Sequence, residues 1–469
     1  MALPRTACSS IGRVISLLLL GGATVVHAQN PSNPGTIVVD QQAVSPMSGG
    51  TGPTTLSPTL APYFDPVQGT SSIDLVRRAL ASNGELAAAR LDIERARARL
   101  RQAGLRPNPA LDFEQTTGRL TGSPGETEIS VGLALPLELG GKRGRRIDLA
   151  RAELQAVEAE VADRERRLTV EVRVLYVEAL ASIRELGTLE ELNTLDIQTT
   201  RVVQARVNEG ETAPIELNQL RVEVDRLRSR RALVEGRLQA TLLRLKSLTG
   251  LAATELLQLR EDINTPSLPT PPTSLDAAIE IALRSRPDLK LARLNEEVAQ
   301  AGLRLARAQG VPEVTPFTKY TYGRSVFDDT PVGVLRDRDK LLTFGVSIGI
   351  PVFNRNQGGK AEAAAAINQA ERRRQFLEAV VRAEVQSAYA RYEAARTAVS
   401  TFEQGVIPRS TDNVRTIRAA YQIGAFSITD LLVEQRRLVD AQREFTEALA
   451  ERYRALADLQ AALGVVINP

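Results

Sequence analysis

Side chains that could carry out nucleophilic or metal chemistry are almost absent from this chain. Its 469 residues include one cysteine, Cys8, and one histidine, His27, both close to the N-terminus. Beyond residue 28 the only sulfur-containing side chain is that of Met47. A Ser–His–Asp triad or a Cys–His pair needs an imidazole, and zinc and copper sites are usually built from Cys and His. The sequence after residue 28 therefore predicts no enzyme, no cofactor and no bound metal.

The first 28 residues have the pattern of a secretory signal peptide, residues 1–28. Arg5 and Arg13 provide the positive region, residues 14–20 form a short apolar core, and residues 26–28 resemble a small-x-small cleavage site. The apolar run is too short for a membrane-spanning helix, which needs about 20 residues. We expect cleavage and export, which would remove the cysteine and the histidine and exclude disulfides.

The charges of the chain are nearly balanced. Lys and Arg number 59 and Asp and Glu 56, a net charge of +3, and removal of Arg5 and Arg13 would leave +1. Acidic and basic residues are interleaved along the predicted helices, which is typical of solvated helix faces rather than of a nucleic-acid footprint. We expect no nucleic-acid partner.

The chain is built as a duplication of one plan. Residues 72–250 and 274–464 each run through a helical segment, two short strands, a very long helix, a glycine-containing turn and a returning helix. This repeat is far longer than the roughly 20 to 50 residues of solenoid units, so the pattern indicates a pseudo-symmetric internal duplication. A Pro-rich linker, 251–273, joins the halves. Residues 29–71, rich in Pro, Gly, Ser and Thr, are predicted to form an extended arm.

Two strands are predicted in each half, at 110–117, 129–135, 313–322 and 344–350, with a charged loop at about 323–340 between the last two. Apolar residues alternate with small or polar ones, which indicates one apolar face. A soluble hairpin packed on helices would show the same alternation. Four strands cannot close a barrel alone, whereas three chains would supply a closed 12-stranded barrel without free edges.

Helices form the larger part of the predicted fold, which is mainly α with a small β part. Residues 141–208 contain no proline and predict a helix of about 100 Å at 1.5 Å per residue. The returning helix 214–249 and the helix 274–309 together match that length, and 427–463 combines in the same way with 72–104. We expect four helical columns per chain, with the strands at one end and the glycine turns at the other.

The two glycine-containing turns are the candidate functional site. Ser427 and Asp430 have the spacing of a capping box, and Glu216 stands at the position of the first turn that matches Asp430. Two roles are open for these carboxylates, and both can hold at once. They cap helices, or they form an acidic ring around a threefold axis that favours cations at the narrowest point of a tunnel. The residues that shape the turns themselves are Gly210, Pro214, Gly424 and Ser427.

With these features the chain resembles the TolC-like outer-membrane efflux factor family. The resemblance covers residues 72–465 and rests on the signal peptide, the duplicated plan and the tip sequence 421–441. Residues 139–143 and 350–358 look specifically like the heavy-metal (CzcC/CusC-like) branch. The resemblance implies a homotrimer, in which three protomers form a 12-stranded outer-membrane barrel continued by a 12-helix periplasmic tunnel.

The resemblance also implies partners and a location. An inner-membrane pump of the resistance-nodulation-division class and a periplasmic adaptor (membrane fusion) protein would complete the conduit. The protein would lie in the cell outer membrane, in contact with outer-membrane lipid, with the helical tunnel in the periplasm. The adaptor would bind at the turns, whose residues are Gly210, Pro214, Gly424 and Ser427.

Two positions depart from the family pattern. Closed tips in the family can use a Tyr, an Arg and an Asp; Tyr421 and Asp430 match, but Phe426 stands at the Arg position, so a salt-bridged lock of that kind is not expected. With Glu216, these three residues form the predicted constriction. Many relatives carry a lipid on a cysteine at the cleavage site. Here Gln29 follows the predicted cut, so we expect no lipid anchor.

The function expected from the sequence is passive export through a duct, with heavy-metal cations as the cargo implied by the resemblance. Because soft ligands are absent after residue 28, selection would lie in the pump and the adaptor. Efflux of drugs or other small molecules is the alternative. A periplasmic adaptor or coiled-coil scaffold is a further one, although an adaptor has one helical hairpin and this chain has two.

Overall fold

The computed structural model describes residues 59–120, 125–264, 270–327, 333 and 335–464. The predicted signal peptide, the proposed Gln29 terminus and most of the predicted arm lie outside the described residues. Within these ranges the chain is mainly helical, with one small sheet.

The first helical segment is divided at Asn83. Helix α1 spans Ser72–Ser82 and α2 spans Gly84–Ala103, whereas the sequence predicted one helix over 72–104. The side-chain oxygen of Asn83 accepts a hydrogen bond from the Leu86 amide at 2.9 Å, and its Nδ2 donates to the Leu248 carbonyl at 3.1 Å. Asn83 therefore caps the second helix and ties it to a distant part of the chain.

The long hairpin of the first half has the predicted bounds to within one residue. Helix α3 spans Lys142–Asn208, 67 residues or about 100 Å. Helix α4 returns over Pro214–Thr249, where proline occupies the first turn and Gly250 follows the last residue. Proline fits the first helical turn because its missing N–H would have no partner there, and glycine readily adopts the left-handed conformation that ends a helix.

The second half begins with a similar break. Helix α5 spans Leu275–Ser285 and α6 spans Pro287–Gln309, so the predicted helix 274–309 is also divided. The intervening Arg286 is buried, and its guanidinium contacts the carboxylates of Asp288 and Glu384, each at 2.5 Å. A buried cation needs such partners, because its desolvation is costly without them.

The long column of the second half is not one continuous α-helix. Helix α7 spans Gln357–Thr401, a single π-helical turn occupies Phe402–Val406, and α8 spans Ile407–Gln422. Pro408 explains the interruption, since it donates no backbone hydrogen bond and its ring crowds the preceding turn. Helix α9 spans Ile428–Leu463 and is followed by Gly464, the last described residue.

The four strands form one antiparallel sheet in the order β1-β2-β3-β4. Strand β1 spans Ala110–Thr117, β2 Thr127–Ala134, β3 Glu313–Phe327 and β4 Leu335–Gly349. The sequence predicted only 313–322 and 344–350 for the second pair. Most of the predicted loop is therefore strand, because residues 336–340 pair through their backbones with residues 322–326 despite their charges.

The two faces of the sheet differ in polarity. Phe113, Val131, Tyr320 and Leu342 are successive partners across the four strands, and all four side chains are exposed. On the other face Glu114 Oε2 accepts hydrogen bonds from Lys319 Nζ at 2.5 Å and Ser130 Oγ at 3.4 Å. The sheet thus presents an apolar row to its surroundings on one side and a polar, charged side on the other.

The main core lies where helices of both halves meet. Tyr176 of α3 and Tyr453 of α9 are completely buried there. The Tyr176 hydroxyl donates to the Thr70 carbonyl at 3.1 Å and accepts from the Glu261 amide at 3.2 Å. Residues 59–71, assigned from the sequence to the extended arm, are thereby fastened to the bundle and to the linker. Among the described residues no helix is long and apolar enough to span a membrane.

Candidate functional site at the helix-hairpin tips

Two turns with the same backbone geometry form the candidate site. Gly210 follows α3 with a φ of 79°, and Gly424 follows α8 with a φ of 76°. In each turn the residue after glycine bonds back over five positions: the Glu211 amide donates to the Arg206 carbonyl, and the Ala425 amide donates to the Ala420 carbonyl, both at 2.9 Å. L side chains rarely adopt this conformation, which accounts for glycine at both positions.

The two turns belong to one packed unit. The beginning of α4 and the beginning of α9 pack together against the last turns of α3, with Tyr421 of α8 packed against them. Because this cluster is apolar and continuous, the two hairpins support each other next to the turns. Its buried members are Val203, Leu217, Leu220, Ile428, Leu431 and Leu432.

The second turn contains the capping box predicted from the sequence. Ser427 Oγ accepts from the Asp430 amide at 3.2 Å, and Asp430 Oδ2 accepts from the Ser427 amide at 3.0 Å and from its hydroxyl at 2.7 Å. These bonds from Ser427 hold the pKa of Asp430 below its usual value, so the exposed carboxylate is ionised at neutral pH. Capping is therefore one role of Asp430.

Glu216 has a different partner although it occupies the matching position. Helix α4 begins after Ala213, which has no side-chain cap, and Pro214 occupies the first position. The Tyr421 hydroxyl instead donates to Glu216 Oε2 at 3.5 Å, at the limit of a hydrogen bond. Burial, together with the Glu216 carboxylate, raises the pKa of the Tyr421 phenol. The two hairpins are thus linked by this contact.

Two of the four predicted constriction residues contact each other within one chain. Tyr421 lies beside Glu216, and Asp430 is bonded to Ser427. Phe426 is half exposed at the second turn. Within one chain, then, the tyrosine and the aspartate that match the family pattern have different hydrogen-bond partners. Only the association of several chains would bring these groups into a common ring.

A buried polar cluster farther from the turns is missing from the sequence-based site. Asp196 of α3, Glu223 of α4 and Gln435 of α9 are buried within the two hairpins. A signal for it exists, since Asp196 continues the apolar stripe of Leu189 and Leu192 at helical spacing. In the described part of the chain, no group of three or more His, Cys, Asp and Glu side chains is placed to hold a metal ion.

Residues 75–251 and 278–465 match the family model for the outer membrane efflux protein. The chain belongs to this family. The two matched segments coincide with the two halves of the duplication. Membership confirms the family predicted from the sequence and the expectation that the chain is not an enzyme. As an outer membrane efflux protein, it acts in export and is located in the outer membrane.

Three known proteins illustrate the similarity. The cobalt-zinc-cadmium resistance protein CzcC of Cupriavidus metallidurans is 23% identical over 394 residues, which cover 82% of this chain and 88% of CzcC. The toluene efflux pump outer membrane protein TtgI of Pseudomonas putida is 23% identical over 479 residues, 96% of this chain and 97% of TtgI. The crystal structure of CusC superimposes with a TM-score of 0.71 at 22% identity, over 85% of this chain and 92% of CusC. The structural match supports the same fold, long helical hairpins joined to a small sheet.

Proposed function

We propose that three copies of this outer membrane efflux protein assemble into a passive duct that exports heavy-metal cations. The observation that supports the assembly is the sheet, which has an exposed apolar row on one face and ends in two edge strands, β1 and β4. Unpaired strand edges are costly in a lipid environment, and pairing β4 of one copy with β1 of the next removes them. Three copies give a closed barrel of 12 strands.

The apolar row would contact outer-membrane lipid. Phe113, Val131, Tyr320 and Leu342 would then exchange water for hydrocarbon, at a gain of about 25 cal/mol per Å² of apolar surface. The opposite face, with Glu114 and Lys319, would line the water-filled interior. The helices of three copies would continue the barrel as a tunnel of 12 helical columns in the periplasm, with the two turns of each copy at its far end.

Such a duct has no energy source of its own, so transport would be driven by partners. An inner-membrane pump of the resistance-nodulation-division class and a periplasmic adaptor are the partners that suit an outer-membrane duct with a periplasmic tip. We place adaptor contact at the turns, where a Cβ added to Gly210 or Gly424 would meet no atom within 4 Å. Pro214 and Ser427 border the same surface.

The cargo is proposed from similarity. CzcC is named for resistance to cobalt, zinc and cadmium, whereas TtgI is named for toluene efflux. Heavy-metal export is preferred because residues 139–143 and 350–358 resemble the metal branch. Hard carboxylates at the tip would let soft cations pass without retaining them. Export of apolar or drug-like molecules is the second candidate.

The assembly is tested by the mass of the mature protein in detergent. Light scattering should give about three times the mass of one chain, which is 50.9 kDa before processing, and the protein should be found in the outer-membrane fraction. A monomer that fractionates with the soluble periplasm would contradict the shared barrel.

The cargo is tested by deleting the gene and measuring growth on graded cobalt, zinc, cadmium and toluene. The deletion should lower tolerance to at least one of the metals and leave toluene tolerance unchanged, and the cloned gene should restore the metal tolerance. Loss of toluene tolerance alone would favour the second candidate.

The acidic ring is tested in planar bilayers with Asp430→Asn and Glu216→Gln. Each change removes three negative charges from a trimer, so the cation-to-anion permeability ratio should fall severalfold, and more in 0.1 M than in 1 M salt because of screening. Ser427→Ala is the matched control, since it breaks the capping box but keeps the Asp430 charge. If this variant changes the ratio as much as Asp430→Asn, Asp430 is a helix cap and not a selectivity group.

Adaptor contact is tested with paired substitutions at the turns. Gly210→Leu and Gly424→Leu add bulk, whereas Gly210→Asn and Gly424→Asn add a smaller side chain that tolerates positive φ. We expect the leucine variants to lose co-purification with the adaptor while their trimer mass is unchanged, and the asparagine variants to retain most of it. Full retention by both leucine variants would place the contact elsewhere.

A further inference from the structure

A charged residue occupies a core position in the first long hairpin. Along α3 the buried stripe runs from Leu189 and Leu192 through Asp196 to Val203. Asp196 has only 3% of its surface exposed, and its Oδ1 has no hydrogen-bond partner. Burial of a carboxylate oxygen without a hydrogen-bond partner disfavours the ionised form, because the charge loses its hydration and gains no bond in exchange.

The group that faces Asp196 from α9 is also unsatisfied. Gln435 is 5% exposed, and neither its amide oxygen nor its amide nitrogen has a hydrogen-bond partner. The amide can accept a hydrogen bond from a protonated carboxyl group or donate one to a carboxylate. Both polar side chains therefore lie in an enclosed space between the two hairpins, away from the predicted constriction.

The charges around Asp196 come from two further helices. Glu223 of α4 is 9% exposed, and its Oε2 accepts bonds from Arg436 at 2.7 and 3.1 Å and lies 3.5 Å from Arg226. Both guanidinium groups pair with the Glu223 carboxylate, which lies beside Asp196. On the α8 side Arg418 favours the Asp196 anion. Asp196 therefore has three kinds of neighbour: the like charge of Glu223, the cation of Arg418 and the neutral amide of Gln435.

Burial is the largest influence on Asp196, and Glu223 acts in the same direction. Together they raise the pKa of Asp196 from 3.8 to about 6, against the opposing effects of Gln435 and Arg418. The carboxyl group is therefore poised to change its protonation state in the mildly acidic range.

We propose that Asp196, with Glu223 and Gln435, forms a proton-binding site that couples the surrounding pH to the packing of the two hairpins. In the protonated form the Asp196 hydroxyl donates to the Gln435 amide oxygen. When the pH rises the proton passes to water, and a buried anion remains beside the Glu223 carboxylate. The packing of α3 and α4 on α9 is then weakened around Asp196.

The direction of the pH effect follows from proton linkage. The folded chain holds the proton more tightly than the unfolded chain, so the contribution of Asp196 to stability is complete below pH 3.8. It declines as the pH rises and is lost above about pH 6. The hairpins should therefore be more protected at pH 5 than at pH 8.

The test is hydrogen–deuterium exchange of the full-length protein in detergent at pH 5 and pH 8, corrected for the intrinsic exchange rate. In the wild type, protection of peptides around Asp196 and Gln435 should be roughly tenfold lower at pH 8 than at pH 5, because pH 5 lies only one unit below the folded pKa of about 6 and already above the unfolded value of 3.8. Asp196→Asn, which cannot ionise, should show no such fall. The control Asp225→Asn removes an exposed carboxylate on α4 and should behave as the wild type.

A second variant keeps the test decisive if Asp196→Asn does not fold. Glu223→Gln removes the like charge, so the pH at which protection falls should move downward. A wild type without pH-dependent protection at these peptides overturns the proposal. The same holds if Asp196→Asn retains the full pH dependence, or if Glu223→Gln leaves the transition where it is. None of these outcomes depends on the cargo or on trimer formation.

Discussion

Mutual burial of the two hairpins is the constraint on which the rest of the structure depends. A helix of about 100 Å gains little from its own hydrogen bonds in water and needs a partner along its apolar stripe. In this chain the stripe of α3 is covered by α4 and by α9 from the other half, and Tyr176 and Tyr453 both lie in the fully buried centre. The turns, the linker and the sheet are all held at positions that this contact defines.

Much of this arrangement can be predicted from the sequence because the residues that begin and end the helices act locally. Pro214 and Gly250 fix the ends of α4, and the spacing of Ser427 and Asp430 specifies the capping box at the start of α9. Each signal acts within one helical turn, so it does not depend on distant packing. Residues 139–143 and 350–358, which resemble the heavy-metal branch, indicate the functional class. Composition alone only argues against catalysis.

The features that the sequence did not reveal depend on contacts made elsewhere. The charged residues 336–340 read as a loop, yet they form a strand because β3 satisfies their backbone groups. Asn83 ends a helix that propensity alone would continue, since its side chain also binds the Leu248 carbonyl. The role of Asp196 emerges only when Glu223 and Gln435 are brought beside it from two other helices.

The π-helical turn at Phe402–Val406 has a consequence for symmetry. The column from Gln357 to Gln422 is one residue shorter than α3. The π-helical turn also accommodates one extra residue, so the side chains that follow it are rotated by about 100° about the helix axis relative to a continuous α-helix. In α8 only Val414 is buried. The duplication therefore repeats the path of the chain but not the surface it displays. A ring of three copies would contain six hairpins, in which the two kinds alternate. A partner protein that binds around this ring would therefore contact a surface with threefold rather than sixfold symmetry.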